Sequence, residues 1–317
     1  MSKAAIDVLR LMTKGAYDLQ ALRIQMGLRL CANFRSRLTD VPAESEDDAD
    51  EMSEAAIKVI DELKASYRRL TDGVARNRTI PAKEGFTGDK LISDYAELVL
   101  IDQYMSLETQ EAKQFRQLVG TLEEIPIYNA YLKEQKGVGP AMAAVIIAYL
   151  DPHKARHVSS FWKYSGLDVV PSDGAGRSRR KEHLVERTYT DKDGEEATRV
   201  GITYQPFLKT KLMGVLASSF LRTNSPWREV YDNYKHRLMT DPNRIKLDVN
   251  AWKKKNKAGE DMKQYWTPGR INRAALRYMV KMFLADLWVK WRTLEGLPVT
   301  PPYAEDKLGR RPHGKAA

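Results

Sequence analysis

The sequence predicts a mainly α-helical fold, with a helix-hairpin-helix-containing helical domain that carries a small β-hairpin and follows a helical N-terminal region. Three observations carry this expectation. Apolar residues recur at three- and four-residue intervals along most of the chain, a glycine turn at Gly137-Val138-Gly139-Pro140 separates two such runs, and a single stretch around Asp193-Gly194 reads as strand, turn, strand. The boundaries that follow are a helical N-terminal region over residues 1–122, suited to a dimerisation arm, a domain over 123–296, and a disordered tail over 297–317.

Taken in order, Ile6, Leu9, Met12, Ala16, Leu19, Leu22 and Met26 predict one long amphipathic helix, or a broken pair, over residues 4–38. The acidic run Glu44-Ser45-Glu46-Asp47-Asp48-Ala49-Asp50-Glu51 reads as a loop. Ser53 then caps a second helix through Ile57, Ile60, Leu63 and Tyr67 to about Leu70. Residues 72–90 contain Gly73, Pro81, Gly85 and Gly88 and form a connection, after which Leu91 to about Leu122 is again helical.

From about residue 125 the texture changes. Ile125 to Gln135 reads as a helix with Pro126 at its first position. Two glycines make the turn, and Pro140 opens the apolar helix Ala141 to Leu150, which Asp151-Pro152 stops. Ser159 or Ser160 starts a short helix bearing Phe161, Trp162 and Tyr164, and Gly166 ends it. Residues 171–180 form a flexible basic loop. His183 to Thr190 pairs with Thr198 to Tyr204 across an Asp-Gly turn. Helices then run through Phe207, Leu208, Leu212, Leu216 and Phe220, and from Trp227 to Leu238. Residues 244–269 read as a lysine-rich loop, and Ile271 to about Leu294 as the last helix, with prolines and charges keeping Pro298 to Ala317 extended.

Charge and composition bound the function. The net charge is +10 despite the acidic run, so the remainder is strongly basic and favours a polyanion. A single cysteine, Cys31, excludes an internal disulfide framework and a cysteine-rich zinc site, and its expected role is a small apolar filler. No stretch reads as a membrane span or a secretory signal, and a cytoplasmic protein is expected. The five histidines show no metal-ligand spacing, and there is no Walker loop or dinucleotide fingerprint. No metal site and no cofactor follow, with a divalent metal needed only if the protein cuts DNA.

The residues that suit a nucleic-acid backbone fall in four places. Gly137, Val138 and Gly139 form a turn where a phosphate can approach the main chain and the N–H groups of a helix start. An ordinary tight turn between core helices is the other reading. Arg177, Arg179, Arg180 and Lys181 follow a glycine-rich loop, and Lys209, with Lys211, lies near a helix start. Arg270, Arg273, Arg277 and Lys281 step along one helix and make either a phosphate-tracking stripe or a solvated face. Trp252 stands among lysines in a basic loop. Phe161, Trp162, Tyr164, Trp227, Tyr231 and Tyr234 read as helix-packing aromatics.

In this order the motifs resemble the C-terminal domain of the IS-one-ten/IS-one-sixteen family of insertion-sequence transposases, over about residues 130–292. The matching residues are Gly137-Val138-Gly139-Pro140, Phe161-Trp162-Lys163-Tyr164-Ser165-Gly166-Leu167, Pro171, Arg177 to Lys181, Gly201-Ile202, the helix with Leu208 and Lys209, Asn224-Ser225-Pro226-Trp227, Tyr231, and Arg273 to Trp288. The resemblance implies a DNA recombinase with a RuvC-like domain of four carboxylates, a C-terminal serine nucleophile and a structured guide RNA. Residues 1–125, in contrast, read as helices, Asp7 in Ala5-Ile6-Asp7-Val8 included. Where the family carries its serine this chain has Asp173-Gly174-Ala175-Gly176, flanked by Ser172 and Ser178.

The expected function is therefore a DNA-binding protein of transposition or recombination, acting on duplex or branched DNA, with a guide RNA and a homo-oligomer as further partners and no membrane. An active serine recombinase using Ser172 or Ser178 is the first alternative. A structural or RNA-binding helical protein is the second.

Overall fold

The computed structural model describes residues 3–38, 52–74, 78–170, 174–258 and 264–300. The acidic run at 44–51, Ser172 and residues 301–317 of the expected tail lie outside these. The fold is mainly α-helical, as the periodicity predicts, with one antiparallel β-hairpin and one very short parallel strand pair among the described residues. The chain divides into two compact units, residues 2–121 and 122–317.

The first unit is built from α1 (Lys3–Phe34), α2 (Glu54–Thr71) and most of α3 (Tyr95–Glu123). Ser53 caps α2 by accepting from the Ala56 amide at 3.2 Å. One face of α2, with Ala56, Val59, Ile60, Leu63 and Tyr67, meets Leu30, Cys31 and Phe34 of α1 and Leu98, Ile101 and Tyr104 of α3. The Cys31 thiol donates to the Ala56 carbonyl at 3.3 Å and burial pushes its pKa up to about 11, so it is an inert filler. Helix α3 starts at Tyr95, not near Leu91. The Asp89 carboxylate accepts from the amides of Leu91 and Ile92 at 2.9 and 2.8 Å and holds this stretch as a turn. Asp7 lies within α1, exposed and paired with Arg10 at 3.1 Å.

The second unit is organised around α11 (Pro268–Leu294), whose Met279, Val280, Phe283, Leu284, Leu287 and Trp288 are buried. Against it pack α4 (Pro126–Ala130), α6 (Val158–Tyr164), α8 (Ala217–Arg222) and α9 (Trp227–Thr240). Between α7 (Pro206–Thr210) and α8 the helix passes through a π-helical segment, Lys211–Leu216, which also packs on α11. Helix α5 (Pro140–Tyr149) is apolar all round and buried from Met142 to Ala148, which is why its sequence shows no polar face. Strands β1 (Val185–Thr190) and β2 (Glu196–Gly201) form the hairpin.

Several local expectations are corrected. Ile125 to Gln135 is not one helix, because it breaks at Tyr131 (φ −146°, ψ −57°), whose hydroxyl donates to Asp286 at 2.6 Å and whose ring stacks on Phe283. Tertiary anchoring of one side chain overrides the local helical spacing. Helix α6 opens at buried Val158, one residue ahead of the serines, with His157 extended before it. The first strand is trimmed because buried His183 belongs to a 3-10 turn, Lys181–His183, and the second runs from Glu196 to Gly201, not from Thr198 to Tyr204. Residues 244–269 are not all loop, because the Asp248 carboxylate accepts from the amides of Asn250 and Ala251 at 2.8 and 2.9 Å and caps α10 (Val249–Lys257). On either side β3 (Ile245–Lys246) pairs in parallel with β4 (Tyr265–Trp266). Among the aromatics read as packing residues, Tyr164 is 42% exposed.

Candidate nucleic-acid interface

The loop after α6 is folded back on itself by its own backbone. Gly166 ends the helix at φ 65°, where a Cβ would stand 2.8 Å from the Tyr204 ring. Val170 N donates to Ala175 O at 2.8 Å, Gly174 N to Val170 O at 2.9 Å and Arg177 N to Asp168 O at 3.0 Å, so Val169 bridges Gly176. The Asp168 carboxylate accepts from Arg177 Nε at 2.8 Å and locks the two ends together. This brings Gly176 onto the Arg277 guanidinium of α11, in the space that a Cβ would need.

Two lysines flank Arg277. Lys209 of α7 donates its ammonium to the Arg177 carbonyl and lies 4.6 Å over the Tyr204 ring. Lys281, one turn along α11, lies 4.3 Å over the Trp162 ring, and Trp162 Nε1 donates to the Lys281 carbonyl at 3.0 Å. An aromatic face supports each ammonium without neutralising it.

Electrostatics set this cluster apart from the other basic residues. Burial, then the neighbouring Arg277, lowers the Lys281 pKa to about 8, against the opposing pull of Asp168. Lys209 is lowered by burial, by Arg277 and by Arg177, and Arg277 by burial and by Arg270 and Arg273. In each case Asp168 acts in the opposite sense, but its carboxylate is already engaged by Arg177. Among the described residues, Arg277 and Lys281 make no ion pair, and their side chains make no hydrogen bond. Partly buried cations without a counter-ion are costly, and an oxyanion accepting charge-assisted hydrogen bonds from them would relieve that cost.

The other basic residues divide by depth. Arg179, Arg180 and Lys181 are exposed, and so is Arg273. Arg270 is held by the Tyr265 carbonyl at 2.7 Å and by the Trp266 ring at 4.4 Å, with Arg244 also 4.1 Å over that ring. Lys211 is 8% exposed and lies over the Phe207 ring. The α11 series is therefore not a uniform solvated stripe.

The glycine turn has different surroundings. Gly137 has φ 98°, accepts from Ser219 Oγ at 2.8 Å, and leaves a Cβ only 2.8 Å from Phe220 and 3.0 Å from Thr223 Oγ1. It is a packing glycine against α8. Val138 is half-buried, while Gly139 is exposed, with nothing within 4 Å of a Cβ and no side chain capping α5 there.

Of the two candidate serines, Ser178 has a base beside it. Its Oγ lies 2.9 Å from His183 Nδ1, and its own amide donates to the same nitrogen at 3.0 Å. Nδ1 is therefore the unprotonated acceptor. Ser178 Oγ also accepts from Arg180 N at 3.2 Å.

Sequence reasoning named Arg177, Lys209 and Arg277 without showing that they share a site. It gave Asp168, Gly176 and His183 no binding or catalytic role, and read Trp162 chiefly as a packing residue within the family motif. The glycine before Arg177 was the one local signal. Among the described residues no group of three or more His, Cys, Asp or Glu is placed to hold a metal, and no helix is long and apolar enough to cross a membrane. Fold and cluster together define a mainly α-helical protein with a desolvated cationic site. Comparison with protein-family models, curated proteins and solved structures finds no match, so the family resemblance rests on the ordered motifs.

Proposed function

We propose that this protein binds nucleic acid, DNA foremost, with a backbone phosphate held among Lys209, Arg277 and Lys281, and that it acts in transposition or recombination. The observation that carries the binding is the partly buried, unpaired Arg277 beside Lys281. Exposed Arg179, Arg180 and Lys181 extend the positive surface, and Gly139 offers a second close approach at the start of α5. The process is inferred from the motif order alone. A guide RNA and self-association belong to the same reading.

The test is anisotropy with duplex, branched and single-stranded DNA and with RNA across a salt series. Lys281→Met is expected to weaken every ligand and to lower the slope of log affinity against log salt by about one. A wild-type protein without salt-dependent nucleic-acid binding overturns the proposal.

The Ser178–His183 pair favours a second reading, a serine recombinase. In it Ser178 Oγ attacks phosphorus, its proton passes to His183 Nδ1, and the leaving sugar oxygen departs as the serine ester forms. Ser178→Ala would then abolish strand transfer and leave binding intact, whereas retained transfer eliminates this reading.

A further inference from the structure

The hairpin β1–β2 is exposed along nearly all of its length, with only Ala197 and Gly201 half-buried. Directly opposed residues share a face of the ribbon. The register pairs Val185 with Gly201, Arg187 with Arg199 and Tyr189 with Ala197, so one face carries both arginines and the tyrosine. The other face carries Glu186, Thr188, Thr190, Glu196, Thr198 and Val200. The ribbon is thus cationic on one side and acidic and hydroxyl-bearing on the other.

Two features make the cationic face unlike an ordinary solvated surface. Like charges directly opposite one another destabilise a strand pair, and a lone two-stranded ribbon is marginal in water. Yet neither Arg187 nor Arg199 makes an ion pair among the described residues, and Arg199 is stabilised only by the Tyr189 ring at 6.0 Å. The turn, by contrast, is well made, since Asp191 Oδ1 accepts from the amides of Asp193 and Glu195 at 2.8 and 3.0 Å and Gly194 takes φ 85°. The repulsion therefore occurs on a ribbon whose shape is fixed by its turn.

We infer that the hairpin is a groove-reading ribbon for duplex DNA, laying its Arg187–Arg199–Tyr189 face into the major groove while the Glu186–Glu196 face points away. Six residues per strand give a ribbon roughly 20 Å long. A two-stranded ribbon fits the major groove of B-form DNA, whereas the deep, narrow groove of duplex RNA excludes it. Paired guanidinium groups suit guanine edges and flanking phosphates, and the acidic face prevents entry the other way round. This inference rests on the proposal that the protein binds DNA, and gives that binding a groove and a helical form.

The experiment uses the full chain with duplex DNA and duplex RNA of one sequence, read by anisotropy and by dimethyl sulfate protection of guanine N7, a major-groove atom. The wild type is expected to prefer duplex DNA and to protect N7. Arg187→Ala with Arg199→Ala is expected to weaken duplex DNA binding about ten-fold or more and to remove the protection. Single-strand binding should be unchanged. Removing the repulsion keeps the hairpin folded, and Thr188→Ala with Thr198→Ala on the opposite face serves as the control. Equal DNA and RNA duplex binding, unprotected N7, or a double-alanine protein that binds as wild type overturns the inference. If Lys281→Met still weakens binding in that case, the phosphate site stands alone. Absence of any nucleic-acid binding overturns both.

Discussion

The Arg277 guanidinium occupies the space that a side chain on Gly176 would fill, its Cζ lying 2.6 Å from where that Cβ would stand. A glycine on a self-closed loop is what lets a cation of α11 lie against backbone.

Gly176→Ala therefore separates folding from binding. The group displaced is the far end of a flexible side chain, so the stability cost is small, about 1 kcal/mol or less. Arg277 must move, and DNA affinity is expected to fall as it does in Arg277→Met. Urea denaturation and anisotropy on the same samples check this, and unchanged affinity would show that Arg277 has no part in binding.

Phosphate binding at the proposed site would be made pH-dependent by Lys281. Its pKa is about 8 in the free protein, and a bound phosphate would raise it, so binding takes up a proton. Affinity should fall as pH rises from about 7 to about 9 at fixed ionic strength, and Lys281→Arg should flatten the curve. Stability runs the other way. Between about 8 and roughly 10.4 the unfolded chain holds this proton and the folded one does not, so the lysine's contribution improves with rising pH. Comparing the stability slopes of wild type and Lys281→Met over that window isolates the effect.

The two glycines of the turn should behave differently. Gly137→Ala forces a Cβ into Phe220 at a positive φ and is expected to cost about 1–3 kcal/mol. Gly139→Ala has open space and ordinary extended geometry, so thermal denaturation should show little change. Only Gly139 can report on phosphate approach without confounding by the fold, and a Gly139→Val protein with wild-type affinity would remove this turn from the interface.

Arg292 is 5% exposed and donates to the carbonyls of Pro152 (2.5 Å), Ala155 (3.0 Å) and Pro298 (2.7 Å). Arg292→Met removes these donors from a buried site and is expected to cost about 2–4 kcal/mol by chemical denaturation. DNA binding by the folded fraction should be unaffected, because this end of α11 is remote from Arg277 along the helix.

The Asp89 turn gives an acid-side prediction. Burial alone would raise its pKa, but the Ser66 hydroxyl, the Ile92 and Leu91 amides and Arg69 outweigh this and hold it at about 2. Its contribution to stability is complete above roughly 3.9 and disappears as pH falls through about 2. Asp89→Asn should therefore lower stability at neutral pH and lessen the loss across that acid range.

Much of the helical layout was legible in the sequence, because amphipathic spacing and caps are local. Ser53 capped α2 and Gly166 ended α6 where their residue types predicted. The misses came where a distant group prevailed, as when Asp286 and Phe283 held Tyr131 out of its helix. In α10 a cap was overlooked, and Asp248 shows that a lysine-rich stretch can still be helical.

The sequence by itself determined a basic, mainly helical chain, the positions of Arg177, Lys209, Arg273 and Arg277, and a hairpin closed at Asp193-Gly194. Only the tertiary structure decided which cations share a site and which are desolvated. Arg273 and Arg277 look alike in a helical repeat, yet one is exposed and the other is sunk against Gly176. Periodicity fixes the direction of a side chain around its own helix, whereas burial and field depend on what a loop from elsewhere in the chain lays across it.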